Sequence, residues 1–256
     1  MLATSSLEDT LTLEMEDIVA GQGGVSIKDL ASGDDIFSFD HETARVMAST
    51  TKLFTTGAAL EALGPGFKDP AIQNIVGSED SPTLLSLLIK SGHDSDNAAA
   101  AAVTNLIAAN GTANGADIGG AEAIKEYARK HGANIEIVNG SGKGTKNLCS
   151  PATITDFLIS ANQAEYRSDF IQALPRAGKD GTLRFRMRNT LAGETVQAKT
   201  GTLTRNKKPI QDSLAGYVFG RSRQVAFAIV REHTEDRYAA RASIDRMVDT
   251  LAHYCD

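Results

Sequence analysis

The sequence predicts an α/β chain of the α+β type. An antiparallel sheet is built from N- and C-terminal segments and flanked by helices, with a helical lobe between them. Three observations predict it. Strand-like patterns fall at 24–29 and 35–39 near the start. Further strand-like runs fall at 195–198, 214–219 and 224–230 near the end, the last almost continuously apolar. The interval between reads mainly as helix.

In order, an amphipathic helix is expected over 6–20, followed by the strand pair joined through a glycine-containing turn at 31–34. A helix over 49–63 is stopped by Gly64-Pro65-Gly66. A polar turn at 91–94 leads into an Ala-rich helix over 98–109, ended by Asn110-Gly111. Residues 111–120 form the loosest segment and are expected to be a mobile loop. Helices follow over 121–130, closed by Gly132, and over 151–161, capped by Ser150 with Pro151 at the first helical position. A lone helical turn at 182–188 precedes the last three strands, and 236–254 reads as a final amphipathic helix. These elements suggest one domain, residues 1–256, with a sheet lobe at about 1–48 and 190–256 and a helical lobe at about 49–189.

Composition excludes several classes. The net charge is −6 with both signs mixed, and the basic clusters at 184–188 and 207–208 are short, so no nucleic-acid footprint is present. The absence of Trp argues against aromatic stacking on sugars as the main binding mode. Two cysteines, Cys149 and Cys255, make no disulfide framework; one bridge or two ordinary thiols both remain open. No Cys/His cluster has metal-ligand spacing, so no metal and no cofactor is expected. His93, beside the second motif below, reads as a capping or surface residue. No apolar run has transmembrane length, and no signal peptide is visible in the first twenty residues.

Three short strings carry the chemistry: Ser49-Thr50-Thr51-Lys52, Ser95-Asp96-Asn97 and Lys199-Thr200-Gly201. Ser49 at a helix N-terminus sits where free N–H groups and the dipole favour negative charge. Lys52 lies three residues on, so its amine shares a face with the Ser49 hydroxyl. A serine hydroxyl needs an adjacent base, and a lysine is a base only when neutral, through desolvation or a neighbouring cation such as Lys199. The blander reading makes Ser49 an N-cap and Lys52 a solvated charge. Ser95, Asp96 and Asn97 by themselves would cap the Ala-rich helix, and Lys199-Thr200-Gly201 by itself would be a strand running into a turn.

The three strings in this order match the signature of class A β-lactamases and penicillin-binding proteins. Longer segments resemble one branch of these enzymes, the class C low-molecular-mass penicillin-binding proteins, D-alanyl-D-alanine carboxypeptidase/endopeptidases. The segments are 47–60 with Leu63-Gly64-Pro65, Ser81-Pro82 before 93–97, 138–142 with 147–151, and 181–184 with 198–204 and 213–217. The resemblance implies a β-lactamase/transpeptidase-like fold with the three strings at the seam of the lobes. It implies Ser49 as nucleophile, Lys52 as base and Ser95 as proton relay to the leaving amine. Asn97 would bind the substrate amide and Lys52, and Asp96 would hold the turn. Lys199, Thr200 and Thr202 would bind a substrate carboxylate, with Gly201 leaving room for the substrate backbone. The N–H groups of Ser49 and Thr202 would form the oxyanion hole. The implied partners are peptidoglycan stem peptides ending in D-Ala-D-Ala and β-lactam antibiotics. The implied location is periplasmic or otherwise extracytoplasmic.

The chain departs from that pattern in two places. Ser49 and Ser95 are only 46 residues apart, too few for the large domains such relatives insert between them. Asn139 stands where those relatives have Asp before Gly-Ser-Gly. The expected activity is a serine DD-peptidase. Alternatives are a β-lactamase, a muropeptide- or β-lactam-binding module without turnover, and a small-ester esterase. A class A β-lactamase positions a deacylating water with a Glu. Between the second and third motifs only Glu122, Glu126, Glu136, Glu165 and Glu194 are candidates, and none has the usual local context.

Overall fold

The computed structural model describes residues 4–15, 22–77, 81–110, 119–206, 208–232 and 236–256. Helix α1 (Thr4–Met15) precedes a hairpin of β1 (Gly23–Asp29) and β2 (Asp35–Phe39). A short strand β3 (Arg45–Val46) leads through the 3₁₀ turn Ala48–Thr50 into α2 (Thr51–Leu63). Helices α3 (Pro70–Val76), α4 (Leu84–His93), α5 (Asn97–Asn110) and α6 (Gly120–Lys130) follow. Strand β4 (Leu148–Cys149) pairs with β3, and α7 (Pro151–Gln163), α8 (Arg167–Gln172) and α9 (Ala192–Thr195) lead to the last strands. These are β5 (Val196–Arg205), β6 (Lys208–Phe219) and β7 (Gln224–Glu232), before helix α10 (Arg237–Cys255).

The main sheet has the order β2-β1-β7-β6-β5 and every pairing is antiparallel. β1 therefore joins the two ends of the chain, with Val25 opposite Ile229. Alternation explains why β7 is nearly continuous in apolar residues. Val225, Phe227 and Ile229 face a core closed by α1 and α10, while Ala226 and Ala228 face the core containing α2, α5 and α7. Small residues on the second face let the helices approach. Tyr217, also on that face, is fully buried and donates its hydroxyl to the Leu158 carbonyl at 2.7 Å.

Helix α2 runs through this second core, and all residues from Thr51 to Leu60 are buried. At Gly57 a Cβ would meet the Tyr127 hydroxyl at 2.3 Å. α5 fits the expected Ala-rich helix, and α7 starts at Pro151 with Ser150 accepting from the Thr153 N–H as its cap.

Several expectations are corrected. Residues 91–93 are the last turn of α4 and not a separate polar turn. Gly92 belongs there because a Cβ would come within 1.8 Å of the Ala173 carbonyl oxygen. The helical turn expected over 182–188 shortens to the 3₁₀ turn Gly181–Leu183, and further on Met187 and Asn189 have left-handed backbones that no helix could include. β6 starts at Lys208, earlier than expected, because the polar residues Gln211, Asp212 and Ser213 pair along β5. Residues 16–20 of the first predicted helix and residues 111–118 of the predicted loop lie outside the described residues. Both cysteines are free and buried. Burial pushes the Cys149 thiol up and the Cys255 thiol up to about 12, so neither is a reactive thiolate.

Candidate active site

Ser49 stands in the middle of the 3₁₀ turn Ala48–Thr50, two residues ahead of the α-helix proper. It was expected as the first helical residue; the tighter turn arises because Ala48 adopts a left-handed backbone, with φ 47°. Such a conformation costs a non-glycine residue about 1–3 kcal/mol and persists only where its surroundings enforce it. Here the Met47 carbonyl accepts from the Thr50 N–H and, at 2.6 Å, from the Thr50 hydroxyl. On the other side the Ala48 carbonyl packs on Gly142, where a Cβ would lie 1.8 Å from its oxygen.

Lys52 is 1% exposed, and its Nζ lies 3.1 Å from Ser49 Oγ, 2.9 Å from Asn97 Oδ1 and 2.6 Å from the Ser141 carbonyl oxygen. Two of these partners can only accept. A neutral amine has two N–H donors and one lone pair, which leaves the lone pair for the Ser49 hydroxyl. Burial is the larger influence and lowers the Lys52 pKa to about 8, with Asp96 pulling the other way. Between about pH 8 and 10.5 the unfolded chain holds a proton on this amine that the folded chain lacks. This group therefore makes folding stability rise with pH across that window and contributes no slope below it.

A second cluster forms around Lys199. Its Nζ donates to Ser95 Oγ at 3.0 Å and to the Thr200 carbonyl at 3.0 Å. Burial, and then the Lys52 charge, hold its pKa well below the usual lysine range. Ser95 is left-handed, with φ 56°, immediately after the Asp94 cap of α4, a position where glycine is usual. Asp96 accepts from the N–H groups of Ala98 and Ala99 and so caps α5, and the Ala99 bond is the main reason its carboxyl titrates low. The expected turn-holding role of Asp96 fits this geometry.

The third motif lies on β5, the sheet edge, beside the Ser49 turn. Two residues sit differently from expectation. A Cβ at Gly201 would be 2.2 Å from Ser213 Oγ and 3.1 Å from the Met47 carbonyl, so the space it leaves is filled by the protein's own strand and turn. Arg241 of α10 donates to the Thr202 hydroxyl oxygen at 3.2 Å, and that hydroxyl lies 3.0 Å from Asp212 Oδ1. Arginine only donates, so the single hydroxyl proton points to Asp212. Thr202 thus has no hydroxyl proton left for a substrate carboxylate in this arrangement. Thr200 donates to the Thr182 hydroxyl at 2.9 Å, a bond between two hydroxyls that can reverse.

Ser49, Asn97 and Thr202 line one open cleft of about 450 Å³, with Gly142, Lys143 and Arg205 among its other walls. No Asp or Glu is among the described residues that line it. Segments 138–142 and 147–151 entered the sequence analysis only through resemblance, and their role in seating Lys52 was not read there. Thr55 donates to the Gly140 carbonyl at 2.8 Å, Asn147 Nδ2 donates to Thr51 Oγ1 at 3.1 Å and to the Asn139 carbonyl at 2.7 Å. The Gly140-Ser141-Gly142 run was the available signal. Thr182, Asp212 and Arg241 carried none, because they meet the site only through tertiary packing. Among the described residues, no group of His, Cys, Asp or Glu is placed to hold a metal ion.

Comparison with known proteins agrees with this geometry. A model of the Peptidase S13, D-Ala-D-Ala carboxypeptidase 3 family matches residues 4–69 and 67–254. The two matches meet between the first and second motifs. A D-alanyl-D-alanine carboxypeptidase from Actinomadura sp. (strain R39) is 37% identical over 103 residues, 38% of this chain. That match spans only 18% of the relative's length. A β-lactamase from Chitinophaga pinensis superposes with TM-score 0.76 at 16% identity, covering 97% of this chain and 98% of that one. Penicillin-binding protein 4 from Haemophilus influenzae, solved with a β-lactam, superposes with TM-score 0.75 at 16% identity, covering 96% and 99%. The fold is therefore β-lactamase/transpeptidase-like. With its motifs in order and nearly its whole length matched, the chain belongs to the Peptidase S13, D-Ala-D-Ala carboxypeptidase 3, family.

Proposed function

We propose that this protein is a serine D-Ala-D-Ala peptidase that works through a Ser49 acyl-enzyme. The observation that carries the reading is the Lys52 amine, buried and hydrogen-bonded to Ser49 with its lone pair left for that hydroxyl. Ser49 Oγ attacks the penultimate D-Ala carbonyl while Lys52 takes its proton. The N–H groups of Ser49 and Thr202 receive the developing oxyanion. Ser95 gives its proton to the leaving amine and is reprotonated through Lys199, 3.0 Å away. The C–N bond breaks, terminal D-Ala leaves, and water then hydrolyses the ester. Lys199 and Thr200, with the remaining N–H groups of Arg241, are suited to the substrate's terminal carboxylate. β-Lactams acylate the same serine.

The substrate would be a peptidoglycan stem peptide, and the place of action outside the cytoplasm, as the family suggests. Among the described residues no helix is long and apolar enough to cross a membrane. The absence of a carboxylate from the described cleft walls favours slow deacylation, and so a peptidase over a β-lactamase. The direct test is D-Ala release from a D-Ala-D-Ala peptide alongside labelling by a fluorescent penicillin. Release with slow loss of label supports the reading. Labelling without release makes the chain a binding module, and nitrocefin turnover above about one per second, an ordinary enzymatic rate, makes it a β-lactamase.

The acylation rate is expected to rise with pH through a midpoint near the Lys52 value of about 8, because only the neutral amine can accept the Ser49 proton. Stopped-flow acylation between about pH 6 and 9.5 reads this out. A flat profile would mean that Lys52 is not the base.

A further inference from the structure

We infer that Asn139 is a positioning residue for Lys52. Its side-chain amide shapes the loop that holds the amine, and its neutrality keeps that loop from stabilising the protonated form. The loop carries the shortest contact to the amine, the Ser141 carbonyl at 2.6 Å. Asn139 fixes where that carbonyl points. Its Oδ1 accepts from the N–H groups of Ser141 at 3.2 Å, Gly142 at 2.9 Å and Lys143 at 3.2 Å, and from the Ser141 hydroxyl at 2.9 Å. Its Nδ2 donates to the Lys143 carbonyl at 3.0 Å. One amide thus ties both strands of a five-residue loop together.

The first set of bonds asks only for an acceptor. A carboxylate of the same shape makes all of them, and the clustered N–H groups favour it. The Nδ2 bond is the one a carboxylate cannot make. Asn therefore gives the loop the same shape as Asp with no charge beside the amine.

The charged groups facing that amine are few. Lys199 approaches from β5, and there the Lys52 charge lowers the basicity of Lys199. Asp96 at the start of α5 raises that of Lys52. Lys143, on the loop itself, lines the same cleft as Ser49. A second carboxylate at residue 139 would join Asp96 and hold the proton on Lys52. A unit charge within about 10 Å at an effective dielectric of about 20 moves a pKa by about one unit.

The inference deepens the proposed acyl transfer and rests on it only for its kinetic arm. The test compares wild type with N139D and N139S by two readouts. Lysine side-chain NMR, with the Lys52 signal identified by its loss in Lys52→Met, follows the amine without any turnover. It is expected to titrate about one pH unit higher in N139D and at the wild-type pH in N139S. Stopped-flow β-lactam acylation is expected to show the acid limb of N139D displaced by the same amount, with an alkaline plateau within a few-fold of wild type. N139S is expected to keep the wild-type midpoint and lose about tenfold at every pH, because the Ser141 carbonyl is no longer held. Coincident NMR titrations in N139D and wild type overturn the inference, as does a wild-type plateau in N139S, which also decides the matter if N139D does not fold. A wild-type protein that no β-lactam acylates, but in which Lys52 still shifts in N139D, overturns the proposed function and leaves this inference standing.

Discussion

Ser49→Ala is expected to abolish covalent labelling by penicillin while leaving the fold intact. Among the described residues that line the cleft, the Ser49 hydroxyl is the one bonded to a buried amine, at 3.1 Å from Lys52 Nζ. Removing the nucleophile of such a pair typically costs about 10⁴-fold or more in the covalent step. The loss of a hydroxyl also frees the Lys52 lone pair but leaves both its acceptors, Asn97 and Ser141, in place. Intact-mass spectrometry after penicillin exposure reads the outcome. Wild type should gain one adduct and the variant none, with melting temperatures within a few degrees of one another. An adduct of equal stoichiometry in the variant would mean that another side chain is acylated, and the proposed mechanism would be wrong.

Gly142→Ala is expected to have the largest effect on stability of any single methyl added near the site. Gly142 has φ 77°, and the new Cβ would fall 1.8 Å from the Ala48 oxygen and 2.4 Å from its carbonyl carbon. Both are backbone atoms, so no rotamer change relieves the clash. Left-handed strain and overpacking each cost about 1–3 kcal/mol, for a total of about 4 kcal/mol. In a chain of this size that corresponds to a fall of about 10 °C in melting temperature. If the turn moves instead of the loop, Ser49 shifts from Lys52 and acylation slows by about 100-fold, the usual penalty of an ångström-scale displacement. Calorimetry and stopped-flow acylation on one preparation separate the two routes. An unchanged melting temperature together with wild-type acylation would show that the 48–142 contact is not what holds the nucleophile.

The parts of this site that were legible in the sequence are those set by short-range periodicity. The Ser49–Lys52 contact follows from helical spacing, and the Asp96 cap follows from a polar residue ahead of an alanine run. Lys199 on a strand followed from alternation. What could not be read falls into two kinds. Left-handed Ala48 and Ser95 are conformations that their residue types disfavour, so nothing local announces them; the surrounding packing imposes both. The Thr202–Asp212–Arg241 arrangement joins β5, β6 and α10, and no sequence spacing encodes it. Helices α3, α4, α8 and α9 were not read from the sequence, and two of them carried local signals. Asp69 with Pro70 is a good start signal for α3, and Asp69 does accept from the Ala71 N–H. α4 was obscured because Ser91 and Gly92 look like a turn, whereas Gly92 is there to let the helix pack on Ala173.

The position of β1 between β2 and β7 has a consequence for how the molecule comes into being. Val25 and Ile229 must meet across about two hundred residues, and closing such a span is slow because its entropy is lost before contacts repay it. β5 reaches the central strands only through β6 and β7. A chain growing from its N-terminus therefore presents Ser49 and Lys52 long before Lys199 arrives to complete the cleft. Until then the first two motifs stand without the β5 lysine that hydrogen-bonds Ser95. The three motifs therefore become one site only when the last strands join the sheet.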